Sequence, residues 1–365
     1  MSMRAAVWQV ANRLGVVAGT PGELLSALLA GPRRTVRVPL PPDHDLVRSL
    51  GPLIDVVADG AGEPRPAAPV DLDDPAAVCT SDPVRVTEAY EADPDPRGGL
   101  RPAWLRAGQS LVRDQAPAER ALVLLAALDD TADPRLGPAL TARAAGAPWR
   151  LAWSSRRRCT ALTTTPDGRL VVREDRVRAV ACLPDGTEPA LDERGRLHTG
   201  GGGPATRLTD AVAATLASHP ATALAAAGGT VLTGDRMGTV HAFSLTGVDQ
   251  AALHTGRVTA LTATPSTTYS GGTDGTVRAW HPGQSPDRAA TVTSRPYPVV
   301  ALHATAHLLA VAWSDGLAEL HRLDTGESVP FRPGPRIRAV AITADGSLVV
   351  GLDDAVVCLT CALSG

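Results

Sequence analysis

The sequence predicts a multidomain α and β protein. An N-terminal α/β-plus-helical domain is followed by an all-β propeller of five blades, or six if one abbreviated repeat is counted. Three observations carry this prediction. Two separate sequence landmarks recur with a period of about forty residues across 159–365. Between them lie only short, alternating runs rich in Val, Thr and Ala. The first 150 residues instead show helical spacing around two strand-like runs.

In chain order, "AAVWQVANRLGV" and "TPGELLSALLA" place apolar residues at helical spacing, the second with Thr20 as N-cap and Pro21 at the first helical position. "RTVRVPL" (34–40) and "LIDVVAD" (53–59) read as strands around a helix-like "DHDLVRSLG". Residues 1–60 are therefore expected to form a small α/β segment. "GAGEPRPAAPVDLDDP" (60–75) makes 61–99 an expected Pro- and acid-rich loop region. Over 100–150, "LRPAWLRAGQSLVRD", "PAERALVLLAALDD" and "PRLGPALTARAAG" read as three amphipathic helices in a bundle. The propeller is assigned to 151–365.

The clearest repeat unit is "SGGTDGTVRAW" (270–280), a strand, a tight Asp274-Gly275 turn and a second strand. The turn position recurs at Gly195, Gly238, Gly275, Gly316 and Ala355, spaced by 43, 37, 41 and 39 residues. A small residue ahead of it recurs at Ala179, Ala223, Ala260, Ala301 and Ala339, spaced by 44, 37, 41 and 38. A unit of this length made of short strands is one four-stranded propeller blade. Innermost strands converge on a channel where bulky side chains collide, which explains the Ala; the Gly accommodates a positive φ in the hairpin. "CTALTTTPDGRLVVRED" (159–175) aligns with "IRAVAITADGSLVVGLDD" (337–354). It is either a sixth, abbreviated blade or the outer strand that closes the last one. Strand exchange between the two ends is the favoured closure, because an open ring leaves sheet edges unpaired.

Over roughly 159–365 the repeat resembles the WD40 family. His254 stands where that family's Gly-His begins, with Leu253 in place of the Gly, and Ser270, Asp274 and Trp280 match its blade-bracing positions. The resemblance implies that these four residues are structural. Elsewhere the Trp position holds Phe243, His321 or Thr360, while a turn Asp remains at Asp315 and Asp354. "LDTGE" (323–327) also resembles the turn of quinone-binding-type propellers. The order of helical segment and propeller is similar in arrangement to the C-terminal half of STAND-type signal-transduction NTPases of high-GC bacteria.

Composition narrows the chemistry. All 35 basic side chains are Arg, so a Schiff-base lysine and a Walker-type phosphate loop are excluded. A net charge of −3, with 16 Arg against 19 acidic residues in 1–150 and 19 against 19 in 151–365, argues against a generic nucleic-acid or anionic-membrane binder. The five cysteines are scattered and odd in number, which implies no disulfide framework. Cys358 and Cys361 form a CxxC inside an expected strand, which points them to opposite faces as buried structural thiols. "HTGGGGPAT" (198–206) lacks a nucleotide-loop spacing and reads as an inter-strand loop. Arg156, Arg157 and Arg158 fit either a grip on an acidic partner or a solvated linker.

These features point to a non-enzymatic protein-interaction scaffold or sensing module in a bacterial cytoplasm. Its partner-contacting loop positions are expected at Asp235, Arg236, Thr273, Trp313, Ser314, Arg336 and Arg338. No catalytic residue, metal ligand or cofactor is assigned, and the expected partner is protein, with no nucleic acid and no membrane. Two other readings stay open: a regulatory NTPase remnant without hydrolytic activity, and a propeller enzyme with a channel-centred site.

Overall fold

In the computed structural model, which describes residues 1–29, 35–38, 40, 44–58, 69–199 and 206–362, the forty-residue period resolves into radially arranged antiparallel sheets. The chain divides into two compact units. One comprises Met1–Leu151 with Arg332–Arg336 and Ala362–Gly365; the other comprises Ala152–Phe331 with Ile337–Cys361.

The first unit runs α1 (Met3–Leu14), α2 (Pro21–Leu29), β1 (Thr35–Val38), α3 (Asp45–Leu50), β2 (Asp55–Ala58), α4 (Pro75–Thr80), α5 (Pro83–Ala92), α6 (Leu100–Leu111), α7 (Pro117–Ala127) and α8 (Leu136–Arg143). β1 and β2 pair in parallel across the α3 crossover, as the βαβ geometry demands. Their core joins Val7, Val10 and Leu14 of α1 to Leu24, Val36, Leu46 and Ile54. Gly108 of α6 is the contact point for α1: a Cβ there would lie 2.1 Å from the Trp8 ring. Residues 75–92, expected to be loop, are helical. Asp74 caps α4 and Asp82 caps α5, each followed by Pro at the first helical position. That start signal outweighs the Pro-rich composition. Of the expected loop region, 61–68 lies outside the described residues.

The second unit begins within β3 (Trp149–Ser155) and continues β4 (Ala161–Thr164), β5 (Leu170–Arg173), β6 (Val177–Val180), β7 (Ala190–Asp192), β8 (Leu197–His198), α9 (Thr206–Ser218), β9 (Ala223–Ala227), β10 (Thr230–Gly234), β11 (Thr239–Ser244) and β12 (Gly247–Ala252). It ends with β13 (Val258–Ala263), β14 (Thr268–Gly272), β15 (Thr276–Trp280), β16 (Ala290–Ser294), β17 (Val299–Ala304), β18 (Leu308–Trp313), β19 (Ala318–Arg322), β20 (Ser328–Phe331), β21 (Ile337–Ile342), β22 (Leu348–Leu352) and β23 (Val356–Cys361).

This is a five-bladed β-propeller. β9–β12, β13–β16 and β17–β20 are four-stranded blades, β21–β22–β23 is completed by β3, and β6–β7–β8 is three-stranded. The hairpin β4–β5 fills a further, two-stranded sector between the first blade and the last. Ring closure follows the first reading of the N-terminal repeat and corrects the second. The ends do exchange a strand, but it is β3 that completes the last blade, and 159–175 forms the abbreviated sector.

Between sheets lie the apolar cores. Val240, Leu232 and Val258 pack with Leu253, Leu261 and Trp280 in one, and Val277, Val299, Leu309, Val311 and Trp313 in the next. Full burial of each such aliphatic side chain contributes roughly 1.5–3 kcal/mol. In place of a fourth strand, the first blade is covered by α9, whose Leu208, Val212 and Leu216 pack with Leu183, Leu191, Leu197 and Val231. The i, i+4, i+8 stripe was readable in the sequence but was hidden beside a glycine run whose residues 200–205 lie outside the described ones. The turn glycines are fixed twice over. Gly275 has φ +73°, and a Cβ there would lie 1.9 Å from the Arg295 carbonyl of the loop leaving the same blade.

Candidate functional site

Strand direction gathers the loops. In each blade the first residues of the inner strand pair with the last residues of the second, as in Val258 with Gly272 and Ile337 with Leu352. The loop entering a blade and the turn between its second and third strands therefore share one end of the propeller. Asp235, Arg236, Thr273, Ser314 and Arg338 all lie at this end, with Arg236, Thr273 and Arg338 exposed. Arg336 is exposed but belongs to the Arg332–Arg336 segment of the other unit. Trp313 corrects the expectation: it is 1 % exposed, and its indole Nε1–H donates to Glu319 Oε2 at 2.6 Å. Asp235 accepts from the amides of Met237 and Thr239 (2.8 and 2.9 Å) and pairs with His241, so its carboxylate holds the turn together.

Just inside this end, the residues before Ala161 of β4 and before the five landmark alanines hold equivalent positions at the start of the inner strands: Thr160, Arg178, Thr222, Thr259, Val300 and Arg338. In four of the six inner strands the ladder shifts register at that residue, between Val177 and Ala179, Val258 and Ala260, Val299 and Ala301, and Ile337 and Ala339. Such bulges re-aim a side chain out of the alternating pattern. Two threonines use the position to link blades. Thr222 Oγ1 donates to the Val258 carbonyl at 2.6 Å, and Thr259 Oγ1 to the Val299 carbonyl at 2.5 Å. Arginine at the same position does something different. Arg178 donates from Nη2 to the Glu193 carbonyl at 3.0 Å, and Arg338 pairs through Nε with Asp353, so each guanidinium reaches the turn between the second and third strands of its own blade.

The two ends of the channel differ chemically. The cavity at the arginine end measures about 60 Å³ and is lined by Arg178, Thr259, Val300 and Arg338 with the landmark alanines. At the far end a cavity of about 120 Å³ is lined by Thr163, Thr164, Cys182, Thr262 and His303. There the Ile342 amide donates to His303 Nδ1 (3.2 Å), so Nε2 carries the proton and donates to Thr164 Oγ1 (3.2 Å). This one imidazole links β17, β21 and β4. Burial pushes its pKa down to about 4, so it is neutral at pH 7. Among the described residues, no group of three or more His, Cys, Asp or Glu side chains is placed to hold a metal ion. Cys358 is buried and Cys361 half-buried on β23, and burial pushes the Cys358 thiol up to about 11.

The expected blade brace forms in part. Ser270 Oγ donates to His254 Nε2 (2.9 Å), His254 Nδ1–H donates to the Asp274 carboxylate (3.1 Å), and Thr276 donates to Asp274 Oδ1 (2.9 Å). Burial lowers the His254 pKa by more than Asp274 raises it, so the imidazole is neutral at pH 7. Trp280 stands outside this network: its Nε1–H donates to the Gln284 carbonyl at 3.1 Å. In the next blade Arg295 replaces the histidine, pairing with Asp315 at 3.0 Å and lying over the Tyr297 and Trp313 rings. Family-pattern reading missed Arg295, although it stands 41 residues after His254, one repeat on.

No family model matches this chain, and no curated protein matches its sequence. Similar solved structures include the computationally designed Ika4 protein, 22% identical over 39% of this chain and 91% of that one, with a TM-score of 0.34. A chain of the mitotic checkpoint complex is 13% identical over 57% of this chain and 94% of its own, at 0.37. Chaetomium thermophilum Sqt1, solved bound to the N-terminus of ribosomal protein L10, is 18% identical over 54% of this chain and 62% of its own, at 0.39. At these values none of the likenesses bears on partner or activity.

Proposed function

We propose that this chain is a non-enzymatic protein-interaction module, built on a divergent WD40-type propeller and acting in the cytoplasm. The observation that carries this reading is the gathering of exposed loop residues from successive blades at one end, Arg236, Met237, Thr255, Arg257, Thr273 and Arg338. Met237 is 80 % exposed at the tip of its turn, a large apolar side chain placed where a partner would cover it. The channel cavities of about 60 and 120 Å³ are several-fold smaller than the roughly 300–1,000 Å³ of small-molecule sites. They suit a few waters, which favours an interaction role over a channel-centred substrate. The His254–Ser270–Asp274 brace supports the WD40-type assignment.

The test is affinity capture from native extract with the full chain and with a full-length Arg236→Ala, Met237→Ser, Thr273→Ala variant. A partner recovered by the former and lost by the latter supports the reading. Capture that survives this variant moves the working surface elsewhere, and capture of nothing by the full chain removes the main support for an interaction role.

A further inference from the structure

The arginine end of the channel carries a charge pattern that specifies a partner more narrowly. Arg178 (at the inner-strand bulge of the first blade), Arg236 (on the β10–β11 turn) and Arg257 (at the entry to β13) come from three consecutive blades. All three are exposed. Among the described residues, no carboxylate forms an ion pair with Arg178, Arg236 or Arg257, whereas Arg338, Arg295 and Arg156 on the other side of the ring have Asp353, Asp315 and Asp354. Arg178 feels the other two. Partial burial, and then the positive fields of Arg257 and Arg236, weaken the hold of Arg178 on its proton, against the opposing charges of Glu193 and Asp192. Clustering like charges without a direct ion pair costs free energy, and an oxyanion placed among them offsets that cost through charge-assisted, bidentate bonds.

The same end also carries carboxylates. Asp192, Glu193, Asp235, Asp274, Asp353 and Asp354 lie on the turns between second and third strands. A long polyanion laid across this end would meet these carboxylates, which disfavours nucleic acid and favours one short anionic group confined to the three arginines. Beside Arg236, the exposed Met237 offers an apolar contact.

We propose that Arg178, Arg236 and Arg257 form the recognition site for a short acidic peptide segment of a protein partner, with an apolar residue next to its acidic side chains seated on Met237. This rests on the interaction reading above and names the chemistry of its ligand. Arg178 and Arg257 hold the carboxylates, Arg236 and Met237 read the neighbouring residue, and the turn carboxylates reject segments whose negative charge extends further.

The test uses the full chain and fluorescence polarisation of labelled short peptides. Each glutamate-containing peptide is matched with its glutamine counterpart, with and without an adjacent leucine. Glutamate peptides should bind, weaken as salt rises, and prefer the leucine. The Arg178→Gln, Arg236→Gln, Arg257→Gln variant should lose about tenfold or more in affinity, about 1.4 kcal/mol. Arg288→Gln, at an exposed arginine between β15 and β16 at the opposite end, should lose none. Met237→Ser should abolish only the leucine preference.

Equal binding of glutamate and glutamine peptides overturns the proposal, as does equal loss in the Arg288 variant. Inorganic phosphate displacing the peptide as effectively as the peptide displaces itself also overturns it, in favour of a free-anion site. Single-stranded oligonucleotide binding tighter than any peptide does the same. Extract capture separates the two levels. A partner still captured by the triple arginine variant, with acidic peptides unbound, sinks the acidic-segment site and leaves the interaction reading standing. Loss of both removes both.

Discussion

His303 makes the propeller's stability depend on pH in a way that can be calculated. Its imidazole is buried where three inner strands meet, accepting from the Ile342 amide and donating to Thr164. Its pKa is about 4 in the folded chain, against about 6.5 in an unfolded one. The unfolded chain thus binds the proton more tightly, and stability must fall as pH drops from about 6.5 toward 4. Above 6.5 the residue imposes no pH dependence, and below 4 both states are protonated and the loss stops growing. The gap of about 2.5 pH units corresponds to about 3 kcal/mol at 1.36 kcal/mol per unit. His303→Asn keeps an acceptor for the Ile342 amide and cannot titrate. Urea unfolding of both chains should be measured from pH 7.5 down to 4, following the propeller transition. Subtracting the variant from the natural chain cancels every other titrating group. The natural chain's advantage should shrink by about 3 kcal/mol over that interval. A difference that stays flat with pH would show that His303 is solvated in solution or has a cationic form held by another group, and would refute the burial argument.

Three further outcomes follow from the same structure. His254→Ala removes the link between Ser270 and Asp274 and should cost about 2 kcal/mol in denaturant unfolding, and Trp280→Phe, which loses the bond to the Gln284 carbonyl and part of the indole's core packing, should cost about 1–3. Arg295→Ala withdraws the cation from a carboxylate that is 3 % exposed and should cost about 3–5 kcal/mol by the same measurement, more than at any ion pair between exposed side chains such as Arg173–Asp175. Gly275→Ala should prevent accumulation of folded protein, because φ is +73° and the new Cβ meets the Arg295 carbonyl; Gly283→Ala, with φ +85° and nothing within 4 Å, should cost only about 1–2 kcal/mol, read by thermal melting.

The parts of this fold legible in the sequence are those where backbone geometry dictates residue type. Gly238 and Gly275 are demanded by positive φ and by a carbonyl at 2.1 and 1.9 Å, so they survive while the rest of the repeat drifts. The landmark alanines survive because six inner strands crowd one channel. Residues defined by a role that several side chains can fill were harder to see. The hydrogen-bond donor facing the turn carboxylate is a neutral His254 in one blade and the Arg295 cation in the next, and only alignment by repeat position reveals the equivalence. Trp313 adjoins a turn and so resembles a loop residue in the sequence, yet strand β18 carries it inward to bond Glu319. The bulges at Arg178 and Arg338 leave no residue signature, since Thr259 and Val300 occupy the same position.

The borrowed strand β3 sets an order of events during biosynthesis. About 200 residues separate its end at Ser155 from the start of its partner β23 at Val356. A ribosome releases β3 long before β23 exists, so this strand must wait, unpaired, while the intervening blades emerge and stack. Closure of the last blade becomes a late, long-range step, slow in proportion to the loop it must shut. During that interval the waiting edge is the part of the nascent chain most exposed to pairing with a neighbour on the same messenger.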